Sequence, residues 1–177
     1  LIIKKDTFSV YTNNFTLNNN HILSREESLN VILETLPKNA IIVSTTGKTS
    51  REIFELRVLS NESHERDFLT VGSMGHCSSI ALGIAISNPS KKIVCIDGDG
   101  SMLMHLGSLS TIGKQSPKNL LHILINNEVH ESVGGQQTAA SHIDIQDLVK
   151  ANSYNNIYSV ANKEELKCRI NELINNN

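Results

Sequence analysis

The sequence predicts an α/β fold, an open, doubly wound parallel sheet of five to six strands with helices on both faces. Short apolar segments alternate with helix-like segments from about residue 24 onward, which is typical of a parallel sheet. The central segments, IVCI at 93–96 and LLHILI at 120–125, are nearly continuous in apolar character, as expected of strands buried on both faces. Four loops that follow predicted strands are rich in Gly, Ser, Thr and Asn. Because ligands of parallel sheets bind at the carboxyl ends of the strands, this edge is the predicted functional edge.

The composition is that of a globular domain. The chain has 177 residues, 39% of them hydrophobic and 19% charged, which is enough for one domain with a full core. A net charge of −2 gives no electrostatic case for binding nucleic acid or an anionic membrane. The three cysteines, Cys77, Cys95 and Cys168, are far apart and form no CxxC motif. This pattern favours buried, reduced thiols in a cytoplasmic protein.

The first 20 residues are predicted to be a linker. The chain begins with Leu1 rather than Met, and the stretch 13–20 is rich in Asn and low in hydrophobicity, as interdomain connectors are. We therefore expect one ordered domain over residues 21–177, and we interpret the chain as the C-terminal part of something longer.

The first half of that domain predicts three helices and two strands. Ser24 and Glu27 form a capping box that starts a helix running to about Leu36. The segment AIIVS at 40–44 predicts a strand, and TTGKTS leads from it into a helix that runs through about Leu59. The segment FLTV at 68–71 predicts a second strand, which GSMG and a small-residue helix at 76–87 follow.

The second half continues the alternation. KKIVCID at 91–97 predicts a third strand, with a helix from 101 to about 113, and residues 120–126 predict a fourth strand. A long polar loop at 127–142 precedes a helix at 144–152 and a fifth strand, NIYSVA at 156–161. Asn162 and Glu165 are the predicted cap of the last helix.

Two of the strand-end loops predict a cation site. The loop IDGDGS contains Asp97 and Asp99, and the 25 residues at 101–125 separate its GDG motif at 98–100 from the pair Asn126-Asn127. This length suits one helix and one strand, and a right-handed crossover returns the chain to the same edge of the sheet. Asp99 and Asn127 should then face each other. Carboxylate, amide and backbone carbonyl oxygens are ligands that Mg²⁺ prefers, and the ion commonly completes its shell with water and phosphates. The helix N-terminus at Gly100 offers free N–H groups to the same phosphates, so the spacing predicts a site for magnesium and a diphosphate.

The pattern of GDG followed by 25 residues and then NN is the signature of thiamine diphosphate binding. The chain resembles the diphosphate-binding domain of thiamine diphosphate-dependent 2-oxoacid decarboxylases. The resemblance covers residues 44–138 and rests on four segments, STTGKTSREIFE, GSMGH, GDGSMLMHLGSL and NNEVHESVGGQQT. Within the family these segments look most like phosphonopyruvate decarboxylase, with the sulfopyruvate decarboxylase subunit as the next most similar protein.

The resemblance implies a metal site and a cofactor site. The implied metal ligands are Asp99, the side chain of Asn127 and the backbone carbonyl of Val129, a position at which the family usually has glycine. The diphosphate would be bound at Gly100 and Ser101, and the GSMG loop would hold the aminopyrimidine ring, with Met74 as the wedge that bends the cofactor. The implied cofactor-binding residues are Thr46, Gly47, Gly72, Ser73, Met74, Gly98, Asp99, Gly100, Ser101 and Asn127.

Four further charged or titratable residues lie in these loops. His130 and Glu131 follow the metal ligands and are the candidate catalytic residues. Two interpretations are open for both residues. They either contact the substrate or transfer a proton, or they form a simple hydrogen bond within the loop. Asp97 is expected to stabilise the turn rather than to bind metal. Lys48 could add positive charge for the diphosphate or for a substrate phosphonate, although lysines at helix starts are mostly solvated.

The resemblance implies a lyase that converts phosphonopyruvate to phosphonoacetaldehyde and CO₂, in phosphonate metabolism, with thiamine diphosphate and Mg²⁺. In this family an activating glutamate comes from a separate pyrimidine-binding domain, which nothing in the chain resembles. We therefore expect the chain to be inactive without that partner domain and the protein to form a homo-oligomer. Two alternatives are a sulfopyruvate decarboxylase subunit and a non-catalytic magnesium-diphosphate-binding subunit. A dinucleotide-dependent dehydrogenase is excluded, because no GxGxxG motif follows the first strand and no acid ends the second.

Overall fold

The computed structural model describes residues 2–5, 7, 9 and 23–175, and its centre is a parallel sheet with the strand order β2-β1-β3-β4. The strands are β1 (Ile41–Ser44), β2 (Asp67–Leu69), β3 (Ile93–Gly98) and β4 (Leu120–Ile125). Ser44 pairs with Ile96, and Gly98 pairs with Ile125. The carboxyl ends of the three neighbouring strands β1, β3 and β4 therefore meet at one edge of the sheet.

Two helices, the first and the last, begin at the capping residues that the sequence predicts. In the first helix Ser24 Oγ accepts a hydrogen bond from the Glu27 N–H at 3.2 Å, and the Glu27 carboxylate accepts one from the Ser24 N–H at 3.1 Å. In the last helix Asn162 Oδ1 accepts from the Glu165 N–H at 2.9 Å. Both caps confirm the sequence prediction. The helices are α1 (Arg25–Thr35), α2 (Lys48–Leu59), α3 (Cys77–Ser87), α4 (Asp99–Met104), α5 (Gly107–Gln115), α6 (Ile145–Ala151) and α7 (Lys163–Asn175).

The side chains of β3 point alternately into two apolar clusters, one on each face of the sheet. Val94 and Ile96 belong to a cluster formed with α1, α2 and α7. Ile93 and Cys95 belong to a second cluster, formed with α3. All four side chains are fully buried. A strand that is buried on both faces explains the continuous apolar sequence, and the prediction of a doubly wound α/β fold is confirmed.

The predicted number of strands is wrong for the part of the chain that the structure describes, because the parallel sheet has four strands there and not five or six. Residues 156–161, the predicted fifth strand, form no strand. Side-chain contacts with α7 hold this segment in place instead. Tyr158 donates a hydrogen bond to Glu172 at 2.8 Å, and its ring lies 4.6 Å from the guanidinium carbon of Arg169. Aromatic and β-branched residues can thus satisfy packing without joining a ladder of backbone hydrogen bonds.

The predicted single helix over residues 101–113 is also corrected. Helix α4 starts earlier, at Asp99, and ends at Met104, and α5 restarts at Gly107. Between them His105 leaves helical geometry, with φ −130° and ψ 48°, and its ring packs 3.9 Å from the ring of His76. This packing and the low helix propensity of Gly107 account for the break.

The long loop at 127–142 is ordered as a small antiparallel hairpin. Strand β5 (Val129–His130) pairs with β6 (Gln136–Gln137), with a 3₁₀ turn at Glu131–Val133 between them and another at Ala139–His142 after them. The hairpin lies over the carboxyl edge of the sheet, since the Thr138 hydroxyl that follows it donates to Asp99 and the His130 ring lies against Gly100. This arrangement brings residues that are distant in sequence to the end of β3.

Three other expectations concern the cysteines, the membrane and the linker. Cys77 and Cys95 are free and buried, as predicted, whereas Cys168 is free but exposed on α7. None of the helices within 23–175 is long and apolar enough to cross a membrane. Most of the predicted linker over 1–20 lies outside the described residues, so the domain boundary at residue 21 stays a prediction.

The contact between α5 and the end of α6 can be tested with a single methyl group. A Cβ at Gly113 would overlap the carbonyl oxygen of Asn152. We expect Gly113→Ala to lower the free energy of unfolding by about 1–3 kcal/mol because the helix must move away. Gly83→Ala is the matched control, since nothing lies within 4 Å of the added carbon on α3, and it should keep stability or raise it by up to about 1 kcal/mol. Urea unfolding followed by circular dichroism measures both, and equal effects would contradict the packing described.

Candidate functional site

A cleft opens at the carboxyl edge of the sheet, between the ends of β1, β3 and β4 and the hairpin β5–β6. Four of its lining residues, Asp99, Asn127, Val129 and His130, come from the β3 end and the loop after β4. Thr45 and Thr46 line it from the β1 end. The crossover argument is therefore confirmed, because Asp99 and Asn127 do meet in space.

Three oxygen-bearing groups converge in this cleft. The Asn127 amide can be placed in two orientations. With its nitrogen inward it donates to Asp99 Oδ1 at 3.3 Å and to the Val129 carbonyl oxygen at 3.1 Å. With its oxygen inward three oxygens face one another without a proton between them, an arrangement that a cation stabilises. In an octahedral shell with metal–oxygen distances of about 2.0–2.1 Å, adjacent ligand oxygens lie about 3 Å apart. These three groups therefore fit Mg²⁺.

The Asp99 carboxyl group is almost fully buried, with 2% of the residue exposed. Burial raises its pKa above the usual range, against the lowering effect of the Thr138 hydroxyl and of backbone N–H groups. The Thr138 hydroxyl donates to Asp99 Oδ2, which leaves Oδ1 facing Asn127. A bound divalent cation would stabilise the ionised form of this acid.

Ser101 joins three segments of the cleft floor. Its Oγ accepts a hydrogen bond from Thr45 Oγ1 at 2.8 Å and another from the Gly75 N–H at 3.0 Å. Ser101 is buried at the start of α4, and Thr45 is buried at the end of β1. One hydroxyl thus connects the β1 loop, the GSMG loop and the helix N-terminus at which a phosphate would bind.

The imidazole of His130 lies directly over Gly100. A Cβ at Gly100 would collide with His130 Cε1, lie 2.7 Å from Nδ1 and lie 3.1 Å from the Thr138 methyl group. Only glycine permits this close approach of the ring to the first turn of α4. The half-buried His130 side chain is therefore positioned inside the cleft, beside the residues that would hold a diphosphate.

Glu131 is engaged by two cations. Its Oε2 accepts from Arg25 on α1, and its Oε1 lies 2.9 Å from Lys48 Nζ on α2. With the Asn127 oxygen inward, its Nδ2 also donates to Oε2 at 3.4 Å. Hydrogen bonding to Arg25 is the main cause that holds the pKa of Glu131 below its usual range. A carboxylate held ionised in this way is poorly suited to donate a proton.

Asp97 lies beneath the cleft and does not line it. Its Oδ1 accepts from the Gly98 N–H at 2.8 Å, which confirms its expected role in the turn. Its Oδ2 lies 3.8 Å from His122 Nε2. Burial raises the pKa of Asp97, but the interactions with His122, Ser101 and Cys77 outweigh this effect, so the pKa lies below its usual value.

Most of the implied cofactor residues line the cleft, and three do not. Gly72 and Ser73 are exposed outside it, and Gly47 lies at the N-cap of α2 with φ +102°. Met74 reaches the cleft wall from the GSMG loop. The implied residues found in the cleft are Thr46, Met74, Gly98, Asp99, Gly100, Ser101, Asn127, Val129, His130 and Glu131.

Similarity to known proteins identifies the family of this chain. Residues 46–177 match the family described as thiamine pyrophosphate enzyme, C-terminal TPP binding domain. The chain belongs to this family. Phosphonopyruvate decarboxylase of Streptomyces viridochromogenes is 39% identical over 143 residues, which are 81% of this chain and 34% of that protein. The chain thus spans about a third of the phosphonopyruvate decarboxylases that it matches.

Two other similar proteins extend the comparison. Sulfopyruvate decarboxylase subunit beta of Methanocaldococcus jannaschii is 38% identical over 152 residues, which are 84% of this chain and 78% of the subunit. The structure of benzoylformate decarboxylase from Polynucleobacter necessarius aligns with a TM-score of 0.67 at 19% identity, over 86% of this chain and 31% of that one. The structural likeness confirms the fold of this TPP-binding domain.

Three residues that contact the cleft of this TPP-binding domain are not found by sequence reasoning. The sequence patterns mark neither Arg25 nor Thr45, and Thr138 only ends the segment NNEVHESVGGQQT. Arg25 and Thr138 reach the site from segments far along the chain from the GDG motif, so no local pattern marks them. Thr45 carries a signal that could have been used, because it is the first hydroxyl after the strand end.

The hydroxyl of Ser101 can be tested as a structural connection. Ser101→Ala leaves the Thr45 hydroxyl and the buried Gly75 N–H without their acceptor, and we expect the free energy of unfolding to fall by about 1–3 kcal/mol. Ser141→Ala is the control, because its exposed hydroxyl accepts only from Gln137 at 2.8 Å, and it should change stability by less than about 0.5 kcal/mol. Urea unfolding of both variants is the measurement, and a neutral Ser101→Ala would refute the connection.

Proposed function

We propose that this TPP-binding domain binds the diphosphate of thiamine diphosphate through Mg²⁺ and serves as the cofactor-binding half of a phosphonopyruvate decarboxylase. The convergence of Asp99, Asn127 and the Val129 carbonyl at the edge of the sheet carries this proposal. The match to the TPP-binding family supports the cofactor, and the S. viridochromogenes relative supports the substrate.

Each group in the cleft has an assigned part. Asp99, Asn127 and Val129 would hold the metal, and the N-terminus of α4 at Gly100 and Ser101 would bind the phosphates with backbone N–H groups and the positive end of the helix dipole. Thr46 would contribute a hydroxyl from the β1 end. Bound thiamine diphosphate supplies the electron sink for loss of CO₂ from a 2-oxoacid.

His130 is our candidate for proton transfer in the cleft. Its ring lies against Gly100, beside the region that a bound diphosphate would occupy, and an imidazole can gain or lose a proton near neutral pH. Glu131 is the weaker of the two candidates from the sequence, because two cations hold its carboxylate ionised. We therefore assign proton movement to His130 and give Glu131 another part, described below.

A partner domain is part of the proposal. The M. jannaschii relative is called a subunit, which supports a second chain or domain that completes the site. Val71, Met104 and Leu106 are exposed apolar residues close to the GSMG loop and α4. They are suited to contact that pyrimidine-binding domain, and we propose that the assembled protein contains more than one copy of the chain.

Sulfopyruvate decarboxylase is the second candidate function. This chain covers 78% of the beta subunit of M. jannaschii, whereas it covers 34% of the phosphonopyruvate decarboxylase. The two substrates carry a phosphonate and a sulfonate head group respectively. The substrate must therefore be identified by experiment.

The metal assignment predicts a charge requirement at Asp99. Asp99→Asn removes the anionic ligand at nearly constant volume, and we expect Mg²⁺-dependent affinity for thiamine diphosphate to fall by at least about 100-fold. Asp144→Asn is the matched control, because Asp144 caps α6 through the Asp147 N–H at 3.0 Å and Asn caps equally well. Calorimetry with and without Mg²⁺ measures both, and undiminished affinity of Asp99→Asn would refute the site.

The substrate assignment predicts the order of two rates. The chain alone should turn over neither substrate. Combined with its pyrimidine-binding domain, it should decarboxylate phosphonopyruvate faster than sulfopyruvate. CO₂ release measured with each 2-oxoacid decides this point. Faster turnover of sulfopyruvate would establish the second candidate instead, and turnover by the chain alone would remove the need for a partner.

A further inference from the structure

Two cations from different helices converge on one carboxylate at the cleft wall. Arg25 lies at the start of α1 and Lys48 at the start of α2, and both pair with Glu131 in the hairpin turn. The ordinary explanation would be a pair of surface salt bridges. Such bridges are worth little when exposed, but Arg25 is only 15% exposed and all three residues line the cleft.

Arg25 is held in place independently of Glu131. Its Nε and Nη2 donate to the two carboxylate oxygens of Glu52 at 2.7 and 2.6 Å. This bidentate pair compensates one charge and orients the guanidinium. Its remaining Nη1 is directed to Glu131. Because Glu52 already anchors Arg25, the Glu131 carboxylate is not needed to keep the guanidinium in position.

The charges lining the cleft balance in this conformation. Among the lining residues, Arg25 and Lys48 carry two positive charges and Asp99 and Glu131 carry two negative charges, while Glu52, outside the lining, adds a further negative charge beside Arg25. A cleft without net charge attracts an anionic ligand poorly. A magnesium ion at Asp99 would add two positive charges, and release of the two cations from Glu131 would make them available to the ligand.

The turn that carries Glu131 is built to allow such an exchange. Gly134 and Gly135 follow it directly, with φ values of +124° and +75°. Glycine adopts these conformations at little cost and can leave them as readily. The Glu131 residue is also more exposed than Arg25, with 39% of its side chain accessible.

We propose that Arg25 and Lys48 form a receptor for a tetrahedral oxyanion, in which Glu131 is the resident counter-ion that the ligand replaces. The ligand group is a phosphate, phosphonate or sulfonate, because two cations with several N–H donors match its oxygens. It is either the terminal phosphate of the cofactor or the acidic head group of the substrate. The choice of these two sources rests on the proposed function. When the ligand binds, its anionic group replaces the Glu131 carboxylate as the partner of Arg25 and Lys48.

Two neutralising variants and two probes test this receptor in the 177-residue chain. The probes are inorganic pyrophosphate with Mg²⁺, which represents the cofactor, and phosphonoacetate, which represents the substrate head group. For the anion that the receptor binds, Lys48→Met should weaken binding by about tenfold, and Glu131→Gln should strengthen it by about tenfold because the competitor is neutral. Isothermal calorimetry and ³¹P NMR measure affinity.

The controls carry the same substitutions away from the cleft. Lys163 pairs with Glu27 at 2.8 Å, and Glu172 pairs with Arg169 at 2.5 Å. Lys163→Met and Glu172→Gln should bind both probes as the original chain does. Thermal melts confirm that every variant is folded. A change with pyrophosphate alone identifies the cofactor phosphate as the ligand, and a change with phosphonoacetate alone identifies the head group.

The receptor is overturned if Lys48→Met and Glu131→Gln bind both probes with unchanged affinity, or if no variant binds either probe. Thiamine diphosphate binding is measured separately in the same chain. Normal cofactor binding with insensitive variants would remove the receptor and leave the proposed function. Altered anion binding without cofactor binding would keep the receptor and remove that function.

Discussion

The buried carboxylate of Asp99 is the constraint on which the rest of the site depends. An acid with 2% exposure is costly unless other groups compensate its charge. Here the compensation comes from Thr138 after the hairpin, from the amide of Asn127 after β4 and from the N-terminus of α4. Because these groups belong to separate segments, burying one acid requires those segments to meet. The same requirement creates the opening in which a cation fits.

The second organising feature is electrostatic balance at the cleft wall. Glu52 anchors Arg25, and Arg25 with Lys48 compensates Glu131. Helices α1 and α2 are thus tied to the hairpin that carries His130, although none of these contacts involves the sheet. The hairpin covers the helix N-terminus at Gly100 through the ring of His130. A loop that covers a phosphate-binding helix end and carries a paired acid connects ligand binding to loop conformation.

The elements that the sequence predicted correctly have strong local signals. The capping box of α1, the Asn162 cap of α7 and the continuous apolar strands β3 and β4 need only neighbouring residues to be recognised. The errors have tertiary causes. Residues 156–161 have strand composition, but Tyr158 packs on α7 instead of entering the sheet. Residues 101–113 have helical spacing, but contact between His105 and His76 interrupts the helix.

The sequence by itself determined the α/β class, the edge that carries the site and the pairing of Asp99 with Asn127, because strand alternation and crossover handedness obey rules that one chain reveals. Only the tertiary structure decided that Glu131 is ion-paired, that Arg25 reaches the cleft and that Thr138 bonds Asp99. These contacts span 106 residues for Arg25 with Glu131 and 39 for Thr138 with Asp99. The physical reason is that such pairings depend on how helices and a hairpin pack around the sheet, and no spacing along the chain records that packing.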